Sequence, residues 1–171
     1  MTLLTLPRGK HAGLHIRPRW PSRHVRVDSQ ALVTLQTVQA QLPPEIDLIL
    51  TRGFEAAPGG LGRARVGFRA IGARLFRWCY PRRAAEIGEI FGSNGHDVDG
   101  THLDVSFRLH GRRVRLLPLG VFTPPRWQQH RRRRYGPALE QVQAALLTHG
   151  FRLHANATES LQIHCDWKSG R

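Results

Sequence analysis

Acidic residues, cysteine and long apolar runs are all scarce in this chain. Only 12 Asp and Glu stand against 26 Lys and Arg, nearly all of them arginine, which leaves a formal charge of +14 over 171 residues. Such an imbalance draws a protein to polyanions: nucleic acid, an anionic lipid surface or an acidic polymer such as bacterial cell wall. The same bias also follows from arginine-, alanine- and glycine-rich codon usage, which carries no function. Two cysteines, Cys79 and Cys165, neither build a disulfide framework nor hold zinc alone. Their apolar neighbours, Trp78 and Tyr80 for one and Ile163 for the other, lead us to expect two small buried thiols. No segment approaches the roughly 20 apolar residues of a membrane helix, which excludes a helical span. The short apolar start before Pro7-Arg8-Gly9-Lys10 has the wrong order for a secretory signal. The expectation is a monomer that is cytoplasmic as synthesised and does not insert into a membrane.

What is present is an ordinary globular composition, 40% hydrophobic, in a chain long enough to bury a core. Residues 1–27 mix Pro, Arg, His and Trp and are expected to form a basic N-terminal arm, with one domain over 28–171. Asp28 or Ser29 is suited to cap a helix to about Gln41, and Pro43-Pro44 stops it. Ile46 to Thr51 reads as a buried strand ended by Gly53, and 56–63 as a loop. Residues 64–80 carry no clear pattern, and Pro81 opens a short helix to Phe91. Leu103 to Leu109 and Val114 to Leu119 alternate around His110-Gly111, a hairpin signature. Segment 118–134 reads as a loop or helix entry, 137–149 as an amphipathic helix closed by Gly150, and 161–167 as a last strand. The expected class is α+β, a small antiparallel sheet flanked by helices.

The densest chemistry lies in Ser93 to Val105, where two histidines, three aspartates and two glycines form a loop that runs into a strand. A loop and the start of a strand can aim imidazole and carboxylate at one point, as zinc sites require. Asp104 stands out because it faces the polar side of a strand whose other side is apolar. His96, flanked by Gly95 and Gly100, is the preferred first histidine, with His102 as competitor on the same strand face as Asp104. His164, on the last strand with Asp166 on its face, would close a site at the sheet face with one position open for chemistry. Against this stands the plain alternative that Asn94-Gly95-His96-Asp97 is a turn and most of the ten histidines are surface residues.

The order of motifs resembles the D-alanyl-D-alanine peptidases of the VanX/VanY kind and the phage L-alanyl-D-glutamate endopeptidases, within the wider lysostaphin/D-Ala-D-Ala peptidase/hedgehog group. Helix 29–41, strand 46–51 and Arg52-Gly53-Phe54 stand where that family has a helix, a strand and a Gly-Tyr turn. His96 to Asp104 stands at its first two ligands, and Thr148-His149-Gly150-Phe151 leads on to Glu159 and His164. The resemblance spans about residues 29 to 167. There are departures. His96 to Asp104 is one residue too long, His102 replaces a small residue, and Glu159 precedes His164 by five residues where the family has three. Asp97 fits the family spacing but is not the expected ligand type.

The resemblance implies zinc held by His96, Asp104 and His164, with Glu159 as general base and Arg52 steadying the oxyanion. It implies action on peptide stems of peptidoglycan, as carboxypeptidase or endolysin-like endopeptidase, with release to the cell wall as a further step. The rival expectation is a basic nucleic-acid-binding protein or a metal-dependent nuclease. Its carriers are Arg126, Arg131, Arg132, Arg133 and Arg134 beside Trp127 and Tyr135, a mixture that attracts polyanions through screened charge and stacking.

Overall fold

Alternating apolar side chains in residues 46–52 and 102–109 make the two central strands, and the other elements pack around them. The computed structural model describes residues 2–20, 22–54, 60–87, 100–115, 118–119, 122–154 and 163–167. In chain order the strands are β1 (Leu3–Pro7), β2 (Gly9–His11), β3 (Leu14–Ile16), β4 (His24–Asp28), β5 (Ile46–Arg52), β6 (His102–Leu109), β7 (Arg112–Arg113), β8 (Phe151–Leu153) and β9 (Ile163–Trp167). The helices are α1 (Ser29–Gln41), α2 (Gly60–Cys79) and α3 (Pro125–Thr148), with a 3₁₀ turn at Pro81–Glu86. This mixed α and β content is the class expected from the sequence.

The sheet is larger than expected. Seven strands join in the order β2-β3-β5-β6-β9-β8, with β7 on β6, and β1 and β4 form a separate pair. Nor is it wholly antiparallel, because β3 runs parallel to β5, with His15 opposite Ile49. The segment expected as a basic arm supplies four of these strands. Leu14, Ile16, Val25 and Val27 within it are buried in the core. Its arginines hid a period-2 alternation too short to stand out. The hairpin of β2 and β3 turns at Ala12-Gly13, and that of β6 and β7 at His110-Gly111. Both residues of each turn have positive φ, the form that matches strand twist.

Asp28 ends β4 and caps α1, its Oδ1 accepting from Gln30 N at 2.9 Å and Ala31 N at 3.2 Å. Gln39 of α1 ties the helix to β5, donating to the Ile46 carbonyl and accepting from Leu48 N. The apolar face of the sheet carries Leu14, Leu48, Leu50, Val105, Phe107 and Cys165. Ala31, Leu35 and Val38 of α1, with Ala138, Val142 and Leu146 of α3, cover it. The opposite face is polar and carries the candidate site.

Four further expectations need correction. From residue 60 the loop expected at 56–63 and the unassigned stretch beyond it give way to α2, where Phe76 is buried against the Tyr80 and Phe122 rings, and 56–59 lie outside the described residues. Pro81 opens only a 3₁₀ turn to Glu86, and 88–91 lie outside the described residues. The described return strand of the hairpin is β7, two residues long; 114–115 and 118–119 are not strand, and 116–117 lie outside the described residues. Helix α3 begins at Pro125, so the stretch read as a loop or helix entry is mostly helical. Pro125 sits where a missing N–H costs nothing, whereas Pro137 lies inside the helix.

Two substitutions test this packing. Leu50→Ala, in a fully buried strand position, should cost about 2–5 kcal/mol. Asp28→Ala should cost about 1 kcal/mol through the lost cap. Urea unfolding monitored by circular dichroism measures both.

Candidate metal centre

The site is built by cross-strand register. Strands β6 and β9 pair with Asp104 opposite His164 and His102 opposite Asp166, while β5 places Arg52 opposite Asp104. Directly opposed residues share a face of the sheet, so these side chains converge on the polar face. A register shift in β5 between Leu50 and Arg52 locally disturbs the ladder, and Thr51 Oγ1 donates to the Asp104 carbonyl at 2.9 Å across it. That bond holds the backbone beneath the carboxylate.

Asp104 has no exposed side-chain surface. His164 Nδ1 lies 2.6 Å from its Oδ1, His102 Nε2 lies 4.0 Å from the same oxygen, and Arg52 Nη1 lies 3.9 Å from Oδ2. Among the described residues nothing donates a hydrogen bond to Oδ2. Burial alone would raise this carboxyl's pKa. The His164 hydrogen bond and the charges of His164, Arg52 and His102 outweigh it, so Asp104 is held below the usual carboxylate range.

A second group abuts the first. Asp166 receives His102 Nδ1 on Oδ1 at 2.5 Å and His154 Nε2 on Oδ2 at 2.5 Å. Two sets of three side chains therefore have ligand atoms within 4.8 Å of one another: His102, Asp104 and His164, and His102, His154 and Asp166. They share His102. Two imidazoles and a carboxylate with a buried, unsatisfied oxygen suit a borderline divalent metal such as zinc.

Of the residues expected from the sequence, the structure brings together Asp104, His164 and Arg52. His96 and Glu159 lie outside the described residues. His102, the competitor, is the histidine found beside Asp104. Asp166 faces the same side as His164 and is gripped by two imidazoles. Sequence reasoning missed His154 because β8 is three residues long, too short for an alternation to register. Pairing of Arg152 with Asp166 puts residue 154 on the polar face, and His154 N donates to the His164 carbonyl at 3.0 Å.

The arginine run lies in the N-terminal half of α3, a helix and not a flexible loop. Arg131 donates through Nε to the Arg115 carbonyl, and both Arg131 and Arg134 lie over the Tyr135 ring. Arg126, Arg132 and Arg133 are exposed, as is Trp127. Comparisons with family models, curated proteins and solved structures find no match to this chain.

The two cysteines differ, contrary to the expectation of two buried thiols. Cys79 ends α2 and is exposed, whereas Cys165 is buried behind the site. Burial, then the charges of Asp104 and Asp166, push the Cys165 thiol far above its ordinary range. A maleimide should therefore label Cys79 alone in the native protein, and Cys165 only after denaturation. Mass spectrometry of the labelled peptides reads the result, and native labelling of Cys165 would contradict the packing described.

Proposed function

We propose that this protein is a zinc-dependent peptidase acting on the peptide stems of peptidoglycan. The observation that carries the reading is the Asp104 carboxylate, fully buried, held ionised and facing imidazoles from two strands with one oxygen unsatisfied among the described residues. An ionised carboxylate out of water is costly unless a cation or a full set of donors meets it. Asp104 and His164 would hold the metal, with the third ligand, a second imidazole, coming from His102 or from His96 of the preceding loop. A divalent zinc in such a site supplies Lewis-acid polarisation of a carbonyl and acidifies water.

The protein's own groups supply the rest. Asp166 engages His102 Nδ1, which leaves Nε2 directed toward Asp104. Arg52 brings a fixed positive charge to the same edge, suited to a developing oxyanion. Glu159 remains the proposed general base, with Asp166 in reserve. The choice of substrate rests on the motif resemblance set out above and on the +14 charge, which draws the protein to an anionic wall.

Protein purified without a metal-affinity tag should carry about one zinc per chain. Asp104→Ala and His164→Ala should each remove most of it, because two remaining ligands bind weakly. His96→Ala and His102→Ala then identify the third ligand, as the one whose loss empties the site. Glu159→Gln should keep zinc while abolishing release of stem-peptide fragments from purified walls. Stoichiometric zinc in both Asp104→Ala and His164→Ala would sink the assignment.

The exposed basic half of α3, with Trp127, supports an accessory role in gripping polyanions. Replacing Arg126, Arg132 and Arg133 together with Gln should weaken binding to walls or DNA several-fold at low salt and little at high salt. Co-sedimentation across a salt series checks this, and affinity independent of these residues at every salt would exclude it.

A further inference from the structure

A second unusual feature lies farther along the same face of the sheet. Arg108 of β6 is opposite Arg113 of β7, so both guanidinium groups leave the sheet on the polar side. The Arg113 Nε is buried and has no hydrogen-bond partner among the described residues. Burial depresses the Arg113 pKa, and Arg17, Arg115, Arg108 and Arg19 around it depress it further. Arg17 and Arg19 are placed beside β5 by hydrogen bonds from their backbone N–H to the Leu50 and Thr51 carbonyls. Asp47, opposite Arg108 in the ladder, lies 4.0 Å from His15, and Arg108 Nη1 lies 3.4 Å from His15 Nε2. No ion pair among the described residues involves any of the five arginines.

Four like charges around a half-buried guanidinium repel it and one another, and a fold keeps such an arrangement where an anion completes it. The place of the cluster says which anion. Arg108 is four residues from Asp104 on one strand, about 13 Å at roughly 3.3 Å per residue. Ser106 and Ile49, between the two on this face, are buried. A peptide reaching from one to the other therefore passes above them, and an extended chain spans that gap in about four residues.

We propose that Arg108 and Arg113, with Arg17, Arg19 and Arg115 around them, form a carboxylate-binding subsite for an acidic group of an extended peptide substrate. This rests on the peptidase reading for the identity of the substrate, but anion binding at the cluster requires no metal. The subsite favours stems that carry a free carboxylate about four residues from the bond presented to Asp104 and His164. Planar guanidinium groups bind a carboxylate through paired N–H donors, so lysine is a poor substitute.

The test uses zinc-depleted full-length protein and isothermal titration with soluble muropeptides, either with free carboxyls or with the carboxyls amidated. Oligothymidylate serves as the phosphate-bearing comparison. Free muropeptides should bind, and Arg108→Gln and Arg113→Gln should each weaken that binding tenfold or more. Arg113→Lys should fall in between, and Arg23→Gln, which removes an equal charge elsewhere on the surface, should change little. Amidation should abolish binding to the wild type, an arm that requires no variant to fold. Equal affinity for free and amidated muropeptides, or unchanged affinity in both Gln variants, overturns the proposal. Cluster-dependent binding of oligothymidylate without muropeptide binding overturns it in favour of a phosphodiester ligand. Absence of zinc from the native protein would overturn the peptidase reading and leave the carboxylate subsite standing.

Discussion

The candidate site depends on one constraint: the carboxylate of Asp104 is ionised where water does not reach. Desolvating a lone carboxylate costs more than the roughly 5–15 kcal/mol by which a typical domain is stable. The fold therefore surrounds it, with His164 across one ladder, Arg52 across the other and His102 two residues away on its own strand. Each partner comes from a central strand whose opposite face is core, so none can shift without disturbing Leu50, Val105 or Cys165. The carboxylate is fixed because the core behind it is fixed.

The N-terminal strands belong to the same argument, although none of their side chains reaches Asp104. Gly100, just before β6, has φ +79°, and its carbonyl accepts from Asp28 N. A Cβ there would lie 2.5 Å from Leu3 Cδ2. Gly53, just after β5, is as tightly held, since a Cβ would lie 2.2 Å from the Arg26 carbonyl oxygen. The pair β1 and β4 thus clamps the exit of β5 and the entry of β6, the two ends that deliver Arg52 and His102. In the sequence Gly100 counted only as a flank of His96. The structure gives it a second duty, close packing against the N-terminal segment.

Much of this was legible where burial is one-sided. Helix α1, its Asp28 cap, β5, β6 and the His110-Gly111 turn all follow from apolar periods and turn chemistry that no tertiary contact overrides. Asp104 and His164 could be chosen because a polar residue on a half-apolar strand is informative in itself. The illegible parts share a physical cause. Strands β2, β3, β7 and β8 are two or three residues long and owe their existence to pairing partners distant in sequence. Helix α2 buries Phe76 but leaves Phe68, Ile71, Leu75 and Trp78 exposed, so its pattern did not separate an inner from an outer face. The start of α3 was concealed by arginines and by Pro137, which reads as a helix start and lies inside one. His154 and the arginine cluster needed the register of the sheet before they could be placed.

The two groups that share His102 are unequal, and the inequality decides between them. Asp104 is fully buried, whereas the Asp166 and His154 side chains are 19% and 37% exposed. Water and salt screen the outer carboxylate, so a cation gains less there than beside Asp104. The outer group already satisfies itself, with both Asp166 oxygens engaged by imidazole nitrogens, while the inner group keeps an unsatisfied oxygen among the described residues. A single divalent ion therefore favours the inner group. The outer carboxylate then works through His102, whose Nδ1 it engages while Nε2 faces inward. That division explains why the short β8 matters to the site. It carries no ligand of the inner group, but it fixes the partner strand on which both Asp166 and His164 stand.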